Sequence, residues 1–115
     1  MLVVFVAPFR DRRPGPIAES EWILVDRLAS HPFWSADGAL LYYTPTGTNP
    51  TIRSAIRARR FRPASAGPEG EPIAVYSSAE MVMPVYLSGT APVATPNEII
   101  LVLGDFRGDV WLMDL

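Results

Sequence analysis

The chain has no cysteine among its 115 residues, so disulfides and thiolate metal sites are excluded. It has no lysine either: all ten basic residues are arginine, a bias we read as genomic codon usage rather than as a binding device. Histidine occurs once, at His31, too few for a histidine-rich metal site. No apolar run approaches the roughly 20 residues that a helix needs to cross a bilayer. The run from Leu2 to Phe9 lacks a basic flank before it and a small-residue cleavage site after it, so it reads as a strand and not as an export signal. There is no Gly-x-Ser-x-Gly elbow. Gly104-Asp105-Phe106-Arg107-Gly108 has neither the lysine nor the following helix of a phosphate-binding loop. The carboxylates do not fall at calcium-loop spacing. Long helices are disfavoured as well, because twelve prolines and eight glycines punctuate the chain and each interior proline costs a helix about 3 kcal/mol.

What remains is globular in character. Apolar residues make up 49% of the chain and charged residues 19%, and the net charge of −2 gives no general attraction to nucleic acid or to acidic membranes. The chain also repeats itself about every fifty residues. Val4-Phe5-Val6-Ala7-Pro8-Phe9-Arg10, Glu21-Trp22-Ile23-Leu24-Val25 and Pro32-Phe33-Trp34-Ser35 come first. Arg57-Ala58-Arg59-Arg60-Phe61-Arg62, Glu71-Pro72-Ile73-Ala74-Val75 and Pro84-Val85-Tyr86-Leu87 come second. A third pass opens at Val110-Trp111-Leu112-Met113-Asp114-Leu115. Short strands repeating at this period suit radial β-propeller blades.

The local patterns fill in this outline. Leu2–Phe9 is continuously apolar, which predicts a strand buried on both faces. Arg10–Pro16 is a loop by composition. Glu21–Leu28 is a strand, and Asp26 breaks its apolar pattern, which places it at a wet outer edge. Asp37-Gly38, between Phe33-Trp34 and Leu40–Tyr43, is a hairpin signal: glycine takes positive φ freely, and Asp bonds nearby amides. Thr44–Pro50 is a turn region, Ile52–Phe61 is extended, Pro63–Gly70 is a loop and Pro72–Tyr76 is a short strand. Met81–Leu87 is a further strand and Ser88–Asn97 a long loop. Ile99–Leu103 is predicted as a buried strand, Gly104–Gly108 as a hairpin and Val110–Leu115 as the last strand.

Trp34-Ser35-Ala36-Asp37-Gly38 resembles the Trp-Ser-Pro-Asp-Gly hallmark of TolB-type, WD-repeat-like β-propellers, with Ala36 in place of the usual proline. Gly108-Asp109-Val110-Trp111-Leu112-Met113-Asp114-Leu115 is similar to the third strand of such blades, as are Val6–Arg10 and Ala58–Phe61. The stretch through Pro63-Ala64-Ser65 and Gly70–Val75 resembles C-terminal propellers of large bacterial proteins. The resemblance implies an all-β fold of about two four-stranded antiparallel blades, a partial β-propeller with nine strands. Residues 1–28 end one blade, 29–77 form a complete blade, and 78–115 form an incomplete last blade. TolB itself points to the periplasm, although this chain carries no visible export signal.

Chemistry is sparse. His31 has Ser30 and Ser35 near it in sequence, but a triad also needs an orienting carboxylate, and His31 reads as the solvent- or loop-facing start of a strand. Asp105 and Asp109 are accounted for by turn chemistry. Arg57 and Arg59 share one strand face and Arg60 and Arg62 the other, so the basic cluster is split and reads as a solvated strand end. Trp22, Trp34, Tyr42, Tyr43, Phe61 and Trp111 are expected in the core, and Trp34→Ala should cost about 3–5 kcal/mol if that holds.

The sequence therefore predicts no catalytic, cofactor-binding or metal-binding residues. It predicts a non-enzymatic scaffold for a protein or peptide, with no nucleic-acid partner and no membrane span. Loops Asp11–Ser20, Pro45–Thr51, Pro63–Glu71 and Ser88–Asn97 are its candidate contact surfaces. Exposed blade edges and faces also invite self-association into a completed propeller. The alternative is a propeller fragment of a larger serine hydrolase or serine/threonine kinase, with the catalytic residues outside this chain.

Overall fold

The structure is a computed structural model and describes residues 2–7, 15–46, 52–62, 67–83 and 91–105. Among these the chain is all-β, with antiparallel sheets. Its strands are β1 (Val3–Val6), β2 (Ile23–Arg27), β3 (Ala29–Trp34), β4 (Leu40–Pro45), β5 (Ser54–Arg60), β6 (Glu69–Ser78), β7 (Val93–Ala94) and β8 (Ile99–Ile100). One 3-10 turn, Glu19–Glu21, precedes β2. β3, β4, β5 and β6 form a four-stranded meander in which each strand pairs with the next in the chain. β1 pairs with β2, and β7 with β8. The expected strand Met81–Leu87 is described only at Met81–Met83, where Val82 makes an isolated bridge; its remainder and the expected strand Val110–Leu115, with Asp109 and Trp111, lie outside the described residues.

The β1–β2 pair packs on one face of the meander, and the Met81–Met83 segment lies against the other. On one side Leu41 and Tyr43 of β4 are buried against Val4 of β1 and Val25 of β2. Strand alternation turns Tyr42, Ile56 and Ala58 to the other side. There the Ser54 hydroxyl donates to the Met81 carbonyl at 2.8 Å, which ties the Met81–Met83 segment to the sheet. Val82 bridges to Gly104, whose amide and carbonyl both bond it at 2.8 Å. Ile56, Ala58 and Met83 are all buried.

Several sequence expectations are corrected by this arrangement. Over its described part the run Leu2–Phe9 is not buried on both faces: within β1 only Val4 is buried, and Phe5 is exposed, with no sheet among the described residues over that side of the pair. β2 is an edge strand with one exposed side, as expected, but Asp26 is not on that side. In the β1–β2 register Val4 faces Asp26 and Phe5 faces Leu24, so Val25 is an extra, bulged residue. The bulge changes the phase of the strand and turns Asp26 inward, where it accepts a 2.6 Å hydrogen bond from the Tyr43 hydroxyl.

The large aromatics also divide. Tyr43 is fully buried, and Tyr42 and Phe61 are half-buried, but Trp22 and Trp34 keep 42% and 44% of their surface exposed. Trp22 lies against Phe5 on the outer side of β1–β2, whereas Trp34 lies at the margin of the layer between β1–β2 and the meander, edge-on to Phe61 and beside a cleft it shares with Val6 and Leu41. The 3–5 kcal/mol expected for Trp34→Ala is therefore an upper limit. Ile99–Leu103 is not a buried strand: only Ile99–Ile100 pairs, and Ile100 and Val102 are exposed on an uncovered face. Arg57 and Arg59 are half-buried opposite Tyr43 and Leu41, so that half of the basic cluster is only partly solvated.

Burial raises the Tyr43 hydroxyl above its ordinary pKa of 10.0; the bond to Asp26 and that residue's charge raise it further, against a smaller opposing effect of Arg59 and Arg57. Above pH 10 the unfolded chain releases this proton while the folded chain retains it, so Tyr43's contribution to stability falls as pH rises through that region. Tyr43→Phe should cost about 1.5–3 kcal/mol at neutral pH, as expected for a hydrogen bond to a charged group. The gap from the parent in urea unfolding should narrow above pH 10, and a gap that stays constant with pH would contradict the assigned bond. Ile56→Ala, a truncation in the opposite layer, should cost about 2–5 kcal/mol in the same assay, with no comparable alkaline narrowing.

Candidate functional site

The site with the most structure behind it is the turn that closes β3 onto β4. Trp34 ends one strand, Leu40 begins the next, and Ser35–Ala39 make the connection. The Ser35 hydroxyl works in both directions: it donates to Asp37 Oδ1 at 2.6 Å and accepts from the Leu40 amide at 3.0 Å. Asp37 Oδ1 also accepts from the Ala39 amide at 3.0 Å. The Gly38 amide donates to the Ser35 carbonyl at 3.0 Å, and Gly38 sits at φ +73, where a side chain would be strained. The serine, aspartate and glycine of this motif are thus one hydrogen-bonded unit that fixes the exit direction of β4.

Two clefts flank the turn. One, of about 380 Å³, lies between Ser35, Ala36, Asp37, Leu40 and Tyr42 on the meander and Thr95 and Pro96 on the neighbouring β7–β8 turn. The second, of about 300 Å³, is lined by Asp37, Ala39, Leu40, Arg60, Phe61, Arg62 and Glu69. Asp37 borders both. Arg62 pairs with Glu69 at 2.9 Å, a surface contact of small energetic weight. The Ser35 hydroxyl, and then the Ala39 amide, hold the Asp37 carboxyl below its ordinary pKa of 3.8. The rim therefore carries a fixed anion on a rigid turn, with the exposed cation of Arg60 on its far wall.

No family model matches the chain, and no curated protein and no solved structure matches it. The site is read from its own chemistry alone.

Two of the four loops expected as contact surfaces reach this rim: Pro63–Glu71 through Glu69, and Ser88–Asn97 through Thr95 and Pro96. The described part of the second, residues 91–97, holds a strand as well as a turn. Its Thr95 amide donates to the Glu98 carbonyl at 2.8 Å and its hydroxyl accepts from the Glu98 amide at 3.1 Å, which makes a tight β7–β8 turn. Pro63–Gly70 likewise gives way to β6, which already begins at Glu69. Pro45, expected in a turn, ends β4, and residues 11–14 of the first loop and 47–51 of the second lie outside the described residues. The turn Ser35–Ala39 was read only as a fold signal. Its place between two clefts depends on strands far away in sequence, and no local pattern marks it as a rim.

His31 does not begin a strand. It sits inside β3, at a bulge where Ser30 faces Thr44 and Phe33 faces Tyr42. Its φ is +53, and its exposed ring bonds the Ser30 hydroxyl at 2.7 Å through Nδ1. That is two members of a triad held by adjacency, and neither residue lines either cleft. Among the described residues no group of three or more His, Cys, Asp and Glu side chains is placed to hold a metal ion, and no helix is long and apolar enough to cross a membrane.

Asp37→Asn tests the turn. A carboxyl held below its ordinary pKa stabilises the fold above about pH 3.8 and loses that contribution as pH falls through its lowered value. The parent should therefore lose more stability than Asp37→Asn between pH 5 and about pH 2–3, measured by thermal melts. Parallel acid profiles would place Asp37 outside the turn's hydrogen bonding.

Proposed function

We propose that this chain is a non-enzymatic segment of a β-propeller that serves as a binding scaffold for a peptide or protein. The observation that carries the reading is the four-stranded antiparallel meander, each strand pairing with the next in the chain, with the β1–β2 pair packed against one of its faces. That is how successive propeller blades meet, and a lone blade has no other means of covering its faces. The resemblance of Trp34–Gly38 to the TolB-type hallmark supports it, since the hydrogen bonds of Ser35, Asp37 and Gly38 give each of those residue types a task.

On this reading the working surface is the rim at the β3–β4 turn. Rigid sheets present it, and its two clefts offer apolar wall from Leu40, Tyr42, Pro96 and Phe61 beside the charges of Asp37 and Arg60. Mixed linings of this kind suit short peptide segments that bring an apolar anchor and a charge of either sign. The proposal names no cofactor and no catalytic residue.

A peptide library panned against the purified chain tests this, with each binder mapped by amide chemical shifts. Shifts centred on Ser35–Leu40, Arg60 and Thr95 support the rim. Binders that move other amides overturn the surface assignment, and a library that yields no binder overturns the scaffold reading.

A further inference from the structure

The two clefts at the β3–β4 turn differ in charge. The smaller one is lined by Asp37 and Glu69 and by Arg60 and Arg62, two charges of each sign, so it favours neither. Among the described residues that line the larger one, Asp37 alone carries a charge. The turn that brings Thr95 and Pro96 to this cleft ends at Glu98, an exposed carboxylate of the same sign.

Asp37 is held in place without being neutralised. The Ser35 hydroxyl and the Ala39 amide both donate to Oδ1, at 2.6 and 3.0 Å. Both donors are uncharged, and among the described residues no arginine pairs with this carboxylate. Oδ2 receives neither bond, so it keeps its capacity to accept. The turn that carries it is already fixed, through the Ser35–Leu40 bond and Gly38 at φ +73. A ligand therefore loses little free energy to ordering the site.

The opposite requirement is met by Tyr42. Its ring lines the cleft and stacks on Phe33, with centroids 5.1 Å apart and planes at 26°, which fixes the plane of the ring. With Leu40 and Pro96 it makes an apolar wall beside the anion. A long basic side chain lays its methylene stem on such a wall and keeps its head at the charge, and a cation near an aromatic ring gains further. An acidic side chain would meet a like charge. A purely apolar one would strip water from Asp37 and return no hydrogen bond. The volume of about 380 Å³ stands near the small end of ligand clefts, a size for one long side chain rather than for a folded domain.

We propose that this cleft takes an arginine or lysine side chain of the bound peptide, with its stem along Tyr42 and Pro96 and its cation on Asp37 Oδ2. The assignment rests on the rim reading above and adds the sign of the residue that the rim selects.

The test is a titration of the full chain with N-acetyl-arginine methylamide, beside its uncharged isostere N-acetyl-citrulline methylamide, followed by amide chemical shifts. The arginine probe should shift the amides of residues 36–40 and 95–98 saturably. The citrulline probe should bind at least about five-fold more weakly, the weight of one ion pair and one cation–π contact. Asp37→Asn, whose amide oxygen still accepts from Ser35 and Ala39, should lower the arginine probe to the affinity of citrulline. The two probes on the parent decide the matter even where that variant is unstable. Equal binding of both probes overturns the proposal, as does an arginine response that is absent or centred on Glu69. Panned peptides that map to the rim without a basic residue also overturn it, and leave the rim reading standing. A library that yields no binder removes the rim reading, and this assignment with it.

Discussion

A tyrosine hydroxyl buried in the middle of the stack governs how the first two layers meet. Tyr43 has no exposed surface, and a buried hydroxyl without a partner would be costly. Its partner is Asp26, which belongs to a different sheet. The two sheets can slide or rotate over their apolar contacts at modest cost, because those contacts are not directional. The hydrogen bond removes that freedom. It also explains the bulge at Val25, without which strand alternation would aim Asp26 at solvent.

How much of this was legible in the sequence follows from whether a signal is local. The Asp37-Gly38 turn was legible because its chemistry is complete within five residues: Ser35, Asp37 and Gly38 satisfy one another without outside help. The all-β character was legible for the same reason, through proline and glycine spacing and short apolar runs. Exposure was not. Val4 and Ile100 look alike as sequence, both aliphatic within aliphatic runs, yet one is covered by the meander and the other faces outward. The difference lies in which layer comes next, and hydrophobicity does not encode that. Asp26 failed differently, because a single extra residue in β2 inverted the two-residue period on which the reading relied.

The candidate rim lies between these cases. Its framework, the β3–β4 turn, was visible in the sequence as a turn. Its clefts arise where Thr95–Pro96 and Arg60–Glu69 arrive from other parts of the chain. Arg57 and Arg60 are three positions apart in a run of similar residues, yet one is half-buried beside Tyr43 and the other borders a cleft. Cross-strand neighbours decide this, and they are set by register.

The meander also bears on the order of folding. Each of its strands pairs with the strand next to it in the chain, so every pairing closes a short loop, and the β3–β4 turn closes the shortest of the three. Loop-closure entropy grows with the length enclosed, and pairings between chain neighbours form faster than distant ones. Docking of the outer layers is then a later event that finds a template already formed. During synthesis, residues 29 to 78 have a route to ordered structure before the residues of β7 and β8 leave the ribosome.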